Sequence, residues 1–250
     1  MKYLLFQLVA LFLFVAVSAQ SKSVPPQIQP RILRAIPHDT KAFTQGLLWH
    51  KGSLYESTGL YGQSSLRCID PTTGAITKNS PVPEVFAEGL CLMDSLLVQL
   101  TWKEGAAIKY SIADFSMRGS FSYAGEGWGL TSNGSSFIMS NGTDTLYTRN
   151  RHFSVTRKTP VTLSGIPLTA LNELEYVKGM VYANVWFNNN IYAIQPSTGV
   201  VVRIIDCSAL VKENGSGSDQ DVLNGIAHND ATGTFYITGK NWRYIFEVRL

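Results

Sequence analysis

A short motif that returns about every 45 residues constrains this chain most. A large residue, a glycine and an aliphatic recur at Gln45-Gly46-Leu47, Glu88-Gly89-Leu90, Trp128-Gly129-Leu130 and Asn224-Gly225-Ile226, and Asn172-Glu173-Leu174 is a variant without the glycine. From first residue to first residue the spacings are 43, 40, 44 and 52. Beyond residue 30 long helical periodicity is absent. Short alternating stretches such as Gly52-Ser53-Leu54-Tyr55-Glu56-Ser57 and Met180-Val181-Tyr182-Ala183-Asn184-Val185 are bounded by Gly, Asn and Asp, the pattern of strands. Four short strands and their turns use about 45 residues, so this period in a strand-only chain predicts an all-β propeller. Five copies of the motif predict five blades. Ile69-Asp70-Pro71-Thr72-Thr73-Gly74 and Ile194-Gln195-Pro196-Ser197-Thr198-Gly199 read as matching turns before an outer strand, with Pro and Gly supplying fixed or permissive backbone angles. The last unit stops at Leu250, about one strand short, while Arg31 to Pro37 alternates like a strand ahead of the first unit. The expectation is a five-bladed β-propeller whose N-terminal strand completes the last blade and leaves no exposed sheet edge.

In a propeller the innermost strands line the axis, so equivalent positions converge at one height. The first position of the motif holds Gln45, Glu88, Trp128, Asn172 and Asn224. A purely structural repeat would tend to keep one residue type there, so this variety predicts a ligand site. A second column, some fourteen residues later, holds the Thr58-Gly59 region, Trp102, Asn141-Gly142, Trp186 and, after a longer hairpin, Lys240; Phe43 and Phe86 repeat two residues before the first column. The expected pocket combines one carboxylate, one ammonium, carboxamides and a wall of Trp and Phe. Taken singly, the aromatics could be core and Glu88 could pair with Lys240 in a structural ion pair; the shared columns favour pocket lining.

Composition narrows the class. With 250 residues, 45% apolar, 11% aromatic and 16% charged, the chain is neither a disordered tail nor, with three cysteines, a disulfide-dense miniprotein. A net charge of +3 without a basic run makes nucleic acid an unexpected partner. Lys2, an apolar run over residues 4–17 and Val17-Ser18-Ala19 read as an export signal cleaved before Gln20. The run is shorter than the ~20 residues that span a bilayer, so no membrane association is expected after its removal. Sequons at Asn133, Asn141 and Asn214 fit a secreted glycoprotein. The organisation expected is a signal peptide at 1–19, a short N-terminal segment at 20–30 and a single propeller domain at 31–250, acting as a monomer. Cys68, Cys91 and Cys207 allow at most one internal disulfide, and with His38, His50, His152 and His228 scattered singly no catalytic zinc is expected.

Several of these segments, in this order, resemble the plant and bacterial type of glutaminyl cyclase (glutaminyl-peptide cyclotransferase). They are Phe43-Thr44-Gln45-Gly46-Leu47, Tyr55-Glu56-Ser57-Thr58-Gly59-Leu60-Tyr61-Gly62, Phe86-Ala87-Glu88-Gly89-Leu90, Gly127-Trp128-Gly129-Leu130-Thr131, Leu171-Asn172-Glu173-Leu174-Glu175-Tyr176, Asn224-Gly225-Ile226-Ala227 and Thr238-Gly239-Lys240-Asn241-Trp242. The resemblance runs from about residue 33 to 248. It implies a five-bladed propeller and an acyl transfer that needs no metal cofactor, acting on peptides or proteins with N-terminal Gln. It implies Glu88 as the central catalytic group, Lys240 and Asn172 as its partners in catalysis, and Phe43, Gln45, Phe86, Trp102, Trp128 and Trp186 as substrate-binding residues. It also implies that a structural metal ion can sit in the axial channel, for which the sequence has no evident ligand pattern. Two departures stand out: Arg243 where the family often has proline, and Asn141-Gly142-Thr143-Asp144 where an Asp-Gly-Ser type of turn is common. The rival readings are a non-enzymatic propeller that binds peptide or sugar in the same aromatic pocket, and a propeller hydrolase. The latter would normally need a metal cage of acidic and amide side chains at the axis, and the one carboxylate of the first column, Glu88, weakens that reading.

Overall fold

The computed structural model describes residues 24–215 and 217–250. The export signal and its cleavage point lie outside the described residues. In chain order, β1 (Gln27–Ile28) and β2 (Arg31–Pro37) precede β3 (Thr44–His50), β4 (Ser53–Thr58), β5 (Ser65–Ile69) and β6 (Ile76–Pro81). Then come β7 (Ala87–Met93), β8 (Leu96–Thr101), β9 (Ala106–Ser111) and β10 (Met117–Ser122), and β11 (Leu130–Ser132), β12 (Phe137–Met139), β13 (Thr145–Arg149) and β14 (Val155–Pro160). A hairpin of β15 (Thr162–Leu163) and β16 (Ile166–Pro167) leads into β17 (Leu171–Val177), β18 (Met180–Val185), β19 (Asn190–Gln195) and β20 (Val200–Asp206). Helix α1 (Ser208–Asn214) is followed by β21 (Leu223–Asn229), β22 (Thr234–Gly239) and β23 (Tyr244–Arg249). No helix among the described residues is long and apolar enough to cross a membrane.

Each run of strands is an antiparallel meander, because its turns are short and its residues alternate. The inner strands meet their neighbours in the cycle β3, β7, β11, β17, β21 and back to β3. Five apolar clusters fill the seams between successive sheets, for example Leu47 and Leu54 against Ala227 and Tyr236, or Leu66 against Leu90 and Leu97. The core is therefore spread through the seams, and burial falls from β21, buried throughout, to the mostly exposed β6 and β10. The axis is left to polar groups.

The N-terminal strand β2 pairs antiparallel with β23, outermost in a sheet ordered β2-β23-β22-β21. The expectation of a five-bladed propeller is corrected: among the described residues four sheets are four-stranded blades. The sheet of β17–β20 has seven strands, because the outer edge of β20 is paired along part of its length by β15 and along another part, in parallel, by β1. Covering that edge removes a row of free N–H and C=O groups, and it draws Gln27 and Ile28 of the N-terminal segment into the sheet. The spacing of 52 before the last motif reflects the insertion of α1 and its following loop.

Four motif glycines let the inner strands approach one another. A Cβ on Gly89 would fall 2.4 Å from the Leu130 nitrogen, and one on Gly129 would fall 1.9 Å from the Asn172 oxygen. At the fifth position stands Glu173, fully buried, whose Oε1 accepts the Leu47 N–H at 3.3 Å and which also accepts from the Ile226 N–H. Its side chain thus crosses from β17 to β3, filling space that the glycines leave open. Glu175, two residues on, accepts the amide of His228 at 3.0 Å and the hydroxyl of Thr131. Burial pushes both carboxyls up, Glu175 to about 8. The folded protein therefore holds a proton on Glu175 that the unfolded chain releases above the ordinary carboxylate range. Stability from this group is complete at low pH and lost as pH rises through about 8. The melting temperature should fall by about 3 °C per pH unit between roughly pH 6 and 8. Glu175→Gln should reduce the slope by this one group's share in a calorimetric pH series, and an unchanged slope would remove Glu175 as a source of it.

All three cysteines are free. Among the sequons, Asn133 is exposed and Asn141 half-buried, while Asn214 is buried and its Oδ1 accepts the Arg243 N–H at 2.8 Å. That bond explains Arg243: proline has no N–H to give. Here the backbone and the guanidinium of Arg243 both bind Asn214, tying the end of α1 to the loop behind Lys240.

Candidate active site

The two columns meet at one end of the axis because the same backbone bond recurs in four sheets. The second-column N–H donates to the carbonyl two residues before the first-column residue: Gly59 to Phe43 at 2.8 Å, and Trp102 to Phe86, Trp186 to Ala170 and Lys240 to Val222, each at 2.9 Å. Phe43, Gln45, Phe86, Glu88, Trp102, Trp128, Asn172, Trp186 and Lys240 consequently line one pocket of about 250 Å³. That volume is below the ~300–1,000 Å³ of many small-molecule sites and suits a single amino-acid residue.

Glu88 sits at the buried end. Gln45 Nε2 donates to its Oε1 at 3.0 Å, and Asn224 Nδ2 donates to Gln45 Oε1 at 3.1 Å, so a carboxamide chain from β21 through β3 orients the carboxylate on β7. Asn224 lies behind the pocket, not on its wall. Burial raises the Glu88 carboxyl well above its ordinary range; Lys240 opposes that rise, and Glu126 and Glu104 add to it. Among the described residues Glu88 and Lys240 form no ion pair; the Lys240 ammonium rests over the Phe43 ring, 4.6 Å from the centroid. Burial lowers the Lys240 ammonium, and the charge of Glu88 partly restores it. Asn172 is 3% exposed and its Oδ1 has no hydrogen-bond partner in the protein. A buried acceptor of this kind facing a pocket calls for a donor from outside.

The walls are aromatic. Phe43 meets Phe86 edge-on at 6.2 Å and Phe86 meets Trp102 at 5.5 Å; on the other side Trp128 meets Trp186 at 5.6 Å. Glycines make room: a Cβ on Gly59 would lie 2.4 Å from Phe86, and one on Gly142 would lie 2.7 Å from the Trp128 indole. Asn141, included in the second column, does not reach the pocket; its Oδ1 is held by Thr143. Two neighbours lie outside the sequence expectations. Gln220 lines the pocket from the loop after α1, where only the longer spacing of 52 marked an insertion. Glu126 stands two residues before Trp128, in the register of Phe43 and Phe86, and extending that register to the third motif would have found it.

A family model described as glutamine cyclotransferase matches residues 5–250. The chain belongs to the glutamine cyclotransferase family. It is 37% identical over 227 residues to the glutaminyl-peptide cyclotransferase of Arabidopsis thaliana, covering 88% of this chain and 70% of that protein. It is also similar to the crystal structure of Myxococcus xanthus glutaminyl cyclase, at a TM-score of 0.86 and 37% identity over 90% of this chain and 97% of that one. Glu173 and Glu175 already accept backbone N–H groups and burial favours their neutral forms. Among the described residues no three His, Cys, Asp or Glu side chains gather as ligands.

Proposed function

We propose that this pocket converts an N-terminal glutaminyl residue of a peptide or protein to pyroglutamyl, with release of ammonia. The observation that carries the reading is Glu88: a lone carboxylate, buried among Phe86, Trp102 and Trp128, with a raised proton affinity and one oxygen held by Gln45. In the reaction the α-nitrogen attacks the side-chain carboxamide carbon of the same residue. The carbon–nitrogen bond to the departing amide nitrogen then breaks. Because the nucleophile is tethered, the enzyme must supply orientation, a base, an anchor for the oxyanion and a proton for the leaving group.

Glu88 as carboxylate takes the proton from the attacking amine and returns it to the departing nitrogen, which leaves as ammonia. Gln45 is engaged at both ends of its amide, so its part is to orient Glu88. The Lys240 ammonium, held over the Phe43 ring, is suited to the carboxamide oxygen as its charge develops, and the unpartnered Asn172 Oδ1 to a substrate N–H. The tryptophans enclose the methylene arm and keep out water that would otherwise yield glutamate. The apolar start of the chain and the exposed Asn133 sequon support export as a glycoprotein. Ammonia release from a peptide beginning with Gln, with and without a chelator, tests the reading. Turnover that survives chelation is expected; loss of turnover on chelation, restored by metal, would contradict this mechanism, and no turnover at all would leave a binding propeller.

A further inference from the structure

The aromatic wall is built as two halves, and a single carboxylate joins them. One half runs from Lys240 over Phe43 to Phe86 and Trp102; the other comprises Trp128, Trp186 and Phe187. The halves come from different sheets, with Trp102 following β8 and Trp128 preceding β11. Between them stands Glu126, whose Oε2 accepts the Trp102 Nε1–H at 2.9 Å and the Trp128 Nε1–H at 3.0 Å. The adjacent backbone makes the same junction, since Gly127 N–H donates to the Trp102 carbonyl at 3.0 Å. Glycines on both sides of Glu126 allow the chain to pass: Gly125 has φ +82°, and a Cβ on Gly127 would fall 2.2 Å from the Tyr123 hydroxyl oxygen.

We propose that Glu126 is a positioning residue for cyclisation, holding the Trp102 and Trp128 indoles in one frame and setting the charge around Glu88. Indole N–H is a donor only, and a carboxylate is its strongest side-chain acceptor. Both rings line the cavity while Glu126 is not among its lining residues, so a bond behind the wall fixes its width. Displacement of a positioning group by about 1 Å costs on the order of 10²-fold in rate. The second effect is electrostatic. The charged and titratable groups that act on or feel Glu88 are Lys240, Glu126, Glu104, Tyr61 and Tyr123. Of these, Lys240 lowers its proton affinity, and Glu126 and Glu104 raise it. The inference rests on the reading of Glu88 as the proton-transfer group.

The test compares wild type, Glu126→Gln, Glu126→Ala and Glu88→Gln on a peptide beginning with Gln, with kcat and KM followed across pH. Glu126→Gln keeps one carbonyl oxygen for an indole and removes the charge. It should retain most of kcat while the acid limb of kcat/KM moves to lower pH, a change that loss of packing alone does not produce. Glu126→Ala frees both indoles and should raise KM by about tenfold or more. Should the alanine variant fail to fold, the glutamine variant still decides. Wild-type KM and an unmoved acid limb in Glu126→Gln, together with wild-type KM in any folded Glu126→Ala, would overturn the proposal. Full activity in Glu88→Gln would instead remove the Glu88 reading, leaving the KM effect of Glu126→Ala as a separate result.

Discussion

Glu88→Gln is expected to lower kcat by about 10²–10⁴-fold, the usual worth of a positioned general acid–base group, while KM changes little. The two side chains have nearly the same shape, and the glutamine carbonyl can still accept the Gln45 amide, so the pocket should persist. What disappears is the ability to take a proton from the amine and return it to the leaving nitrogen. No neighbour can substitute: Gln45, Asn172 and Gln220 are amides, the indoles do not titrate, and Lys240 is a cation. A stopped assay of ammonia release, with binding measured separately by tryptophan fluorescence, checks both halves. Retained turnover with unchanged pH dependence would place the proton transfer elsewhere.

Lys240→Met should cost about 10²–10³-fold in kcat, as does removal of a group that stabilises a developing oxyanion. Methionine keeps much of the apolar stem against Phe43 and removes the charge. It also removes the attraction that holds Glu88 down, so the Glu88 proton affinity rises and the acid limb of kcat/KM moves to higher pH. This is opposite in sign to the shift expected for Glu126→Gln, and a pH series on both variants separates the two influences. An unmoved acid limb in Lys240→Met would show that the ammonium does not act on Glu88.

The motif legible in the sequence was the part of the fold that every sheet must repeat. Glycine stands at the second position in four of the five motifs, where inner strands touch, and four of the five first-position residues line the pocket because the register is common, with Asn224 behind it. Both are local consequences of one backbone pattern, which is why the sequence spacing alone groups Gln45, Glu88, Trp128 and Asn172. What could not be read depends on contacts between distant segments. Pairing of β1 and β15 with β20 involves strands of two residues each, too short for any periodicity to register. Glu173 is visible as an exception to the glycine column, but its reach to Leu47 depends on where the other glycines leave space. Glu126 keeps the register of Phe43 and Phe86, but only the approach of two indoles gives it a role. Asn141 failed as a lining residue because the Trp128 ring covers Gly142 beside it.

On the proposed mechanism a buried acid, its proton affinity raised by its surroundings, moves the proton during cyclisation. Difference infrared spectroscopy of wild type against Glu88→Gln follows that acid directly through its carboxyl C=O band, separating it from the buried Glu173 and Glu175, which both proteins retain. The band unique to wild type should persist well above the ordinary carboxylate range and disappear with rising pH in step with the acid limb of kcat/KM. A Glu88 band that titrates near pH 4.5, or one whose midpoint bears no relation to the rate profile, would contradict the account.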